Sequence, residues 1–276
     1  MLSKIKSLPG ARRLLLFLLL PYGSKLEYLW EDENGAVSHV EQGEGGEQGD
    51  PLMPYLFSWG IHDALAEVAR KLQADEDIFA FLDDVYVVSE PARTQTSYED
   101  LAHELLTKAG IQLHLGKTRV WNRNGVIPDG VAAMGAEVWS PEGIVVLGTP
   151  TGSDNFCQGK AVERIEEERR LWERIPDVLD VQCAWQILYQ SAGPRCNYFI
   201  RSMPPTVSER YADAHDEGMW STARKLLGGL PGHSDEELSC AKDLCTLPMR
   251  LGGLGLRSAR RISPVAYWAY GRMLCQ

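Results

Sequence analysis

IFAFLDDVYVVS, residues 78 to 89, is the stretch on which the reading of this chain turns. Ile78 to Phe81 and Val85 to Ser89 are two runs rich in β-branched and aromatic residues, with only Leu82, Asp83 and Asp84 between them. Such runs favour strands, and so short a link predicts a tight antiparallel hairpin. Two adjacent acids at its tip repel each other and lose hydration where strands pack. A divalent cation relieves both penalties, and Mg²⁺ is a hard ion satisfied by carboxylate oxygens and phosphates. A solvated Asp-Asp turn is the other reading that the dipeptide leaves open.

Upstream, residues 26–30 (LEYLW) and 36–40 (AVSHV) flank EDENG, whose Asn34-Gly35 step signals a hairpin turn. A Gly- and Glu-rich link from Glu41 to Gly49 leads to Asp50 and Pro51, placed as N-cap and first helical residue, with Pro54 moving the regular start toward Tyr55. Ile61, Leu65, Val68 and Leu72 form the stripe of an amphipathic helix ending near Gln73. Downstream, a helix over about 97–109 ends at Gly110, and residues 111–121 (IQLHLGKTRVW) alternate apolar and polar like a half-buried strand. Residues 143–148 (GIVVLG) form a short strand before TPTGSDN, the best domain boundary. Beyond it the chain turns helical, with Val162, Ile165, Trp172 and Ile175 on one face, a Glu166–Arg170 pair, and a further helix over 181–191.

The 276 residues carry 28 basic and 38 acidic side chains and are 44% hydrophobic, a composition that excludes wholesale disorder and allows about two domains. Six scattered cysteines without a C-x-x-C pair read as buried free thiols of a reducing compartment. Leu14 to Leu20 (LLLFLLL), behind Lys4, Lys6, Arg12 and Arg13, imitates a signal peptide but is far too short to span a bilayer. It reads as a buried core segment, and the chain as intracellular (nuclear or cytoplasmic), not secreted and not membrane-bound. Charge is uneven. Residues 1–157 hold 12 basic and 23 acidic side chains, a net of −11, while residues 158–276 hold 16 and 15, a net of +1. From Leu244 onward there are five arginines and no acid, a pattern compatible with phosphate contacts or with a solvated helix face.

QGDPLMPYLF, from Gln48 to Phe57, resembles the reverse transcriptase pattern Q-G-x-x-L-S-P-x-L-F, with Met53 where Ser is usual. FLDD (Phe81 to Asp84) is similar to the F/Y-x-D-D catalytic turn, LGKT (Leu115 to Thr118) to the lysine-bearing motif, and VLGTP (Val146 to Pro150) to the primer grip. Four motifs in order resemble most closely the reverse transcriptases (RNA-directed DNA polymerases) of non-LTR, LINE-type retrotransposons. The resemblance implies an α+β architecture. Residues 1–157 would be a partial polymerase palm, an antiparallel sheet backed by helices, and residues 158–276 an α-helical thumb-like region. It implies that Asp83 and Asp84 hold catalytic Mg²⁺, that Lys117 sits near the nucleotide phosphates, and that Gln48, Gly49 and Phe81 lie against nucleotide and template. Leu147 and Gly148 would steady the primer end. The implied partners are an RNA template, a DNA primer and deoxynucleoside triphosphates. The implied reaction is nucleotidyl transfer by a two-metal mechanism.

The family also carries an Asp in an F-D-x-x-x-A-F motif upstream of the Q-G element. No such stretch precedes Gln48, and Asp32 falls in the Asn-Gly turn. The resemblance therefore implies a chain that starts inside the palm, lacks the fingers and one metal ligand, and does not polymerise unaided. Its partner would be the missing N-terminal part of the same element's protein. Two other readings stay open: a non-catalytic nucleic-acid-binding remnant of a retrotransposon polyprotein, and an unrelated protein in which the motifs coincide.

Overall fold

The structure is a computed structural model and describes residues 12–23, 27–43 and 49–274. It is α+β, mostly helical, with small antiparallel sheets. Its strands form three separate two-stranded hairpins among the described residues, β1–β2, β3–β4 and β5–β6. The chain divides into two compact units: residues 1–117 with 128–134, and residues 118–127 with 135–276.

The first unit begins with α1 (Arg12–Tyr22), which contains the Leu-rich run. The run is not a buried core segment, as its composition suggested: Leu18 is buried against Leu56, while Leu14, Phe17 and Leu20 are exposed. No described helix is long and apolar enough to cross a membrane. The hairpin of β1 (Glu27–Glu31) and β2 (Val37–Glu41) pairs Glu31 with Val37 around the expected turn. There Asp32 Oδ1 accepts the N–H groups of Asn34 (2.9 Å) and Ala36 (2.8 Å), which hold its carboxyl below the usual range. Asp32 is thus committed to its own turn.

α2 (Met53–Lys71) starts one turn after Asp50, whose Oδ1 accepts the Leu52 N–H at 2.8 Å and whose Oδ2 accepts the Tyr22 hydroxyl. Asp50 caps a turn ahead of the helix rather than the helix itself, because Leu52 holds the N-cap place. Ile61, Ala64 and Val68 of α2 pack on Leu101 and Leu105 of α3 (Thr94–Ala109). Gly110 ends α3 in the left-handed region at φ +70°, with the N–H groups of Gly110 and Ile111 bonded to Leu106 and Leu105 carbonyls at 3.1 Å. This paired closure is a stop that only glycine adopts without strain. Lys71 and Lys108 join the two helices through Asp100, Glu104 and Glu67.

Residues 111–121 do not form the strand that their alternation suggested. Ile111 and Leu113 do face the α2–α3 core, but among the described residues no neighbouring strand pairs with them, and Leu115–Lys117 closes into a 3₁₀ turn. The remainder passes to the second unit, where Val120 makes an isolated bridge to Trp139.

In the second unit, α4 (Asp154–Arg174) follows β5 (Gly143–Val146) and β6 (Thr149–Gly152), and Ser153 caps it by accepting the Phe156 N–H at 3.2 Å. α5 (Val181–Gln186) runs into a π-helical turn over Ile187–Ala192. Then come α6 (Cys196–Ser202), α7 (Pro205–Leu226), α8 (Asp235–Thr246) and α9 (Ala259–Leu274). α4 and α7 approach so closely that a Cβ on Gly218 would lie 2.3 Å from the Trp172 ring. The buried face of α4 is Cys157, Ala161, Ile165, Glu168 and Trp172, with Ile175 buried just beyond it, so Ile165, Trp172 and Ile175 lie where the sequence suggested and only Val162 is exposed, its place taken by Ala161. Glu166 pairs with Arg169 at 3.2 Å rather than with Arg170. Cys157, Cys183, Cys196, Cys240 and Cys245 are free thiols, but only Cys157, Cys196 and Cys245 are buried as expected, while Cys183 and Cys240 are exposed.

Glu168 is the surprise of that face. It is 2% exposed, takes the Tyr211 hydroxyl on Oε1 and meets His215 Nδ1 at 2.7 Å on Oε2. Burial works against a charged His215 ring, but the Cys196 sulfur and the Glu168 carboxylate outweigh it and hold its pKa up to about 10. α4 and α7 are therefore joined by a buried ion pair within an otherwise apolar core.

Candidate functional site: the Asp83-Asp84 hairpin

β3 (Asp77–Phe81) and β4 (Asp84–Val88) pair antiparallel, with Phe81 opposite Asp84, so Leu82 and Asp83 alone make the turn. Side chains alternate across a sheet. Ile78, Val85 and Val87 lie on the face that packs on α2 and α3. Asp84 shares the opposite face with Phe81, Phe79 and Tyr86, and Phe79 and Phe81 are about 60% exposed. The carboxylates therefore stand at the open end of a hairpin whose inner face is anchored and whose outer face is apolar and bare. Both are exposed, and among the described residues neither has a hydrogen-bonding or ion-pairing partner.

The turn is strained. Leu82 has φ +55°, a left-handed conformation that costs an ordinary residue roughly 1–2 kcal/mol. Hairpin turns of two residues use Gly, Asn or Asp at such a position. Strain of this kind collects where the surrounding structure fixes a functional geometry. Here the fixing comes from the inner face and the base of the hairpin. Packing holds its inner face, and at its base Glu76 accepts the Gln73 N–H (2.9 Å), the Glu90 N–H (3.2 Å) and Arg93 Nε (2.9 Å). Those bonds keep the Glu76 carboxyl below its ordinary value, the Gln73 N–H having the largest effect. Sequence reading passed over Glu76, because within the run Asp75–Glu76–Asp77 nothing marks which acid turns inward.

Gly49 belongs to the same unit, has φ +96°, and has open space where a Cβ would stand. It lies four residues before α2, the helix that underpins the hairpin. Gln48 lies outside the described residues. Lys117 ends the 3₁₀ turn after the Ile111–Leu113 segment, exposed, with its N–H on the His114 carbonyl at 3.0 Å. Leu147 and Gly148 form the two-residue turn of β5–β6 in the second unit, at φ +49° and +78°. That turn is clamped by Tyr198 of α6, whose hydroxyl donates to the Leu147 carbonyl and lies 3.1 Å from Thr149 Oγ1. A Cβ on Gly148 would come within 3.5 Å of the Tyr198 ring. Tyr198 stands about 50 residues downstream of the turn, too far for sequence spacing to link them.

Asp83, Asp84 and Phe81 are thus brought together on one hairpin, Gly49 and Lys117 share their unit, and Leu147 and Gly148 belong to the other. No cluster of three or more His, Cys, Asp or Glu suited to a metal ion occurs among the described residues. What the turn offers is a pair of unpartnered carboxylates. That suits a Mg²⁺ ion bound through one or two carboxylates with water or substrate phosphates completing its shell, and does not suit an all-protein cage.

The chain is similar to a retrotransposable-element protein. It is 26% identical over 242 residues to the Retrotransposable element SLACS 132 kDa protein of Trypanosoma brucei gambiense. The similarity covers 87% of this chain but 19% of that protein, so the chain spans about a fifth of the relative's length. No family model matches the chain, and no solved structure matches it.

Proposed function

We propose that the chain is a piece of a retroelement reverse transcriptase and that the Asp83-Asp84 turn is its contribution to a metal-dependent nucleotidyl-transfer site. The observation that carries this reading is the strained turn itself, a non-glycine residue at φ +55° holding two exposed carboxylates at the end of an anchored hairpin. The similarity to a retrotransposable-element protein along most of the chain supports it, as do the motif order and spacing.

Asp83 and Asp84 would hold Mg²⁺, which when bound supplies charge neutralisation at a triphosphate and activates a primer hydroxyl. The chain's own residues supply the setting. The hairpin fixes where the carboxylates stand, and Glu76 with Arg93 fixes the hairpin's base. Lys117, with its exposed ammonium, would neutralise phosphate charge or protonate the departing pyrophosphate. Gly49 would let template or nucleotide approach the backbone, with Gln48 beside it, and Phe81 would present an apolar surface to the nucleotide. Leu147 and Gly148, clamped by Tyr198, would steady a primer end. An RNA template, a DNA primer and deoxynucleoside triphosphates are the corresponding substrates. A two-ion site also needs a carboxylate from another strand, and none joins Asp83 and Asp84 among the described residues. The chain alone is therefore expected to bind the ion without extending a primer.

The test is RNA-templated primer extension by a longer protein that contains this chain. Asp83→Asn is expected to lower extension at least about 10³-fold, and Lys117→Ala by roughly 10²-fold. Extension at the unsubstituted rate with Asp83→Asn contradicts the proposal. Tight RNA binding by the longer protein with no extension under any divalent ion favours the non-catalytic remnant instead.

A further inference from the structure

The arginine-rich end of the chain is not a uniform basic face. Arg260 is paired with Glu209 and lies 3.7 Å from Asp213, and Arg261 is bonded to Asp243 at 3.0 Å and Thr246 at 3.1 Å. The Arg272 guanidinium sits over the Trp268 ring, 5.3 Å from its centre. Arg250 and Arg257 differ: both are exposed, and no carboxylate pairs with either among the described residues.

These two unpaired arginines line one groove of about 500 Å³ together with Tyr189, Met249 and Ser258. A second hollow of about 280 Å³ shares Tyr189 and Arg257 with it and adds Gln190, Pro194 and Asn197. The groove is built by two irregular pieces of chain. The π-helical turn over Ile187–Ala192 presents Tyr189, half-buried, to the hollow, and such turns often mark functional positions. Facing it, the loop after Met249–Leu251 closes through Gly255 at φ +75°, where a Cβ would lie 3.3 Å from Met249 Cγ and 3.5 Å from Tyr189 Cε2. The N-terminus of α9 borders the groove but is already occupied. Asp216 accepts the Ala259 N–H at 2.7 Å, the Arg260 N–H at 3.2 Å and the Ser258 hydroxyl at 2.6 Å. Arg261 also lines the groove but is tied to Asp243, so the groove's unpaired positive charge belongs to Arg250 and Arg257 and not to a helix end.

We infer that this groove binds single-stranded nucleic acid, with Tyr189 stacking on an unpaired base and Arg250 and Arg257 contacting the phosphates on either side. A groove that offers both an aromatic ring and unpaired cations matches the alternation of base and phosphate along a single strand. In a duplex the bases are already stacked and would leave the ring unused. An acidic peptide would use the arginines, but its carboxylates offer no aromatic face for Tyr189 to stack on. The inference rests on the retroelement reading only for the class of partner, and it involves none of the residues of the Asp83-Asp84 turn.

The test is fluorescence anisotropy with a labelled oligo(U) 12-mer and the whole chain at low salt. Arg250→Gln with Arg257→Gln is expected to weaken binding at least tenfold. It should also flatten the log–log salt slope by about 1.4, from two phosphate contacts on a single strand at ~0.7 each. Tyr189→Ala should weaken binding about tenfold, and Tyr189→Phe should restore it. Arg169→Gln, outside both hollows, should change neither affinity nor slope. The inference is overturned if the unsubstituted chain does not bind, if the double arginine variant binds equally well, or if a polyglutamate of equal charge competes on equal terms. Because both arginines are exposed, their loss tests binding without depending on a core substitution. Metal binding at the turn is measured separately, so failure of one leaves the other readable.

Discussion

Glu168 shows how much a single side chain can decide here. A carboxylate 2% exposed inside a helical core is stable only because Tyr211 and His215 meet its two oxygens, with Arg164 Nε 3.7 Å from Oε1. Removing one member strands the other, so Glu168→Gln is expected to cost about 3 kcal/mol in chemical denaturation. The pH dependence has a definite sign. The His215 pKa is raised to about 10 against 6.5 for a free imidazole, so its contribution is complete below about pH 6.5 and fades as pH rises through 10. The groups facing it are Glu168 and Trp172 of α4, Tyr211 of α7 and Cys196 of α6. The melting temperature of the second unit is expected to fall between pH 7 and pH 10, and His215→Gln should flatten that decline. An unchanged slope in the variant would show that the imidazolium is not what the core depends on.

At the scale of elements, what the sequence made legible were its local stop and turn signals. Gly110 ends α3 as its position implied, Asn34-Gly35 sits in the first hairpin turn, and IFAF and VYVVS pair across Leu82 and Asp83. Each is a decision made within a few residues by backbone conformation, and so it can be read from a few residues. Gly110→Ala is accordingly expected to destabilise the first unit by about 1 kcal/mol, because the cost is conformational and no side chain crowds the site. A variant equally stable in urea would mean that the left-handed stop carries no weight. What was not legible depends on distant partners. Residues 111–117 alternate correctly yet have no neighbouring strand among the described residues, Val162 yields its place to Ala161, and Asp50 caps a turn instead of the helix. Of the candidate site, the hairpin and its two carboxylates were visible in the sequence. The supports, Glu76–Arg93 beneath the hairpin and Tyr198 on the β5–β6 turn, were not, because they come from 17 and about 50 residues away.

At the scale of the whole molecule, charge divides unevenly along the chain, a net of −11 over residues 1–157 against +1 over residues 158–276. The acidic first half carries the unpartnered carboxylates and bare aromatic residues on the outer face of β3–β4. The second unit contains the larger continuous core, and most of its terminal arginines are tied to acids or stacked on an aromatic ring. The arginine-rich tail thus reduces, as a candidate contact surface, from five residues to Arg250 and Arg257. The central claim is that the turn at Asp83 and Asp84 is a divalent-ion half-site held ready by its own strained backbone. The most direct measurement is Mn²⁺ titration of the chain followed by amide line broadening in ¹H–¹⁵N spectra. Broadening centred on Leu82 to Val85, lost in Asp83→Asn and competed away by Mg²⁺, is the predicted result. Broadening that centres elsewhere, or persists unchanged in Asp83→Asn, would contradict the account.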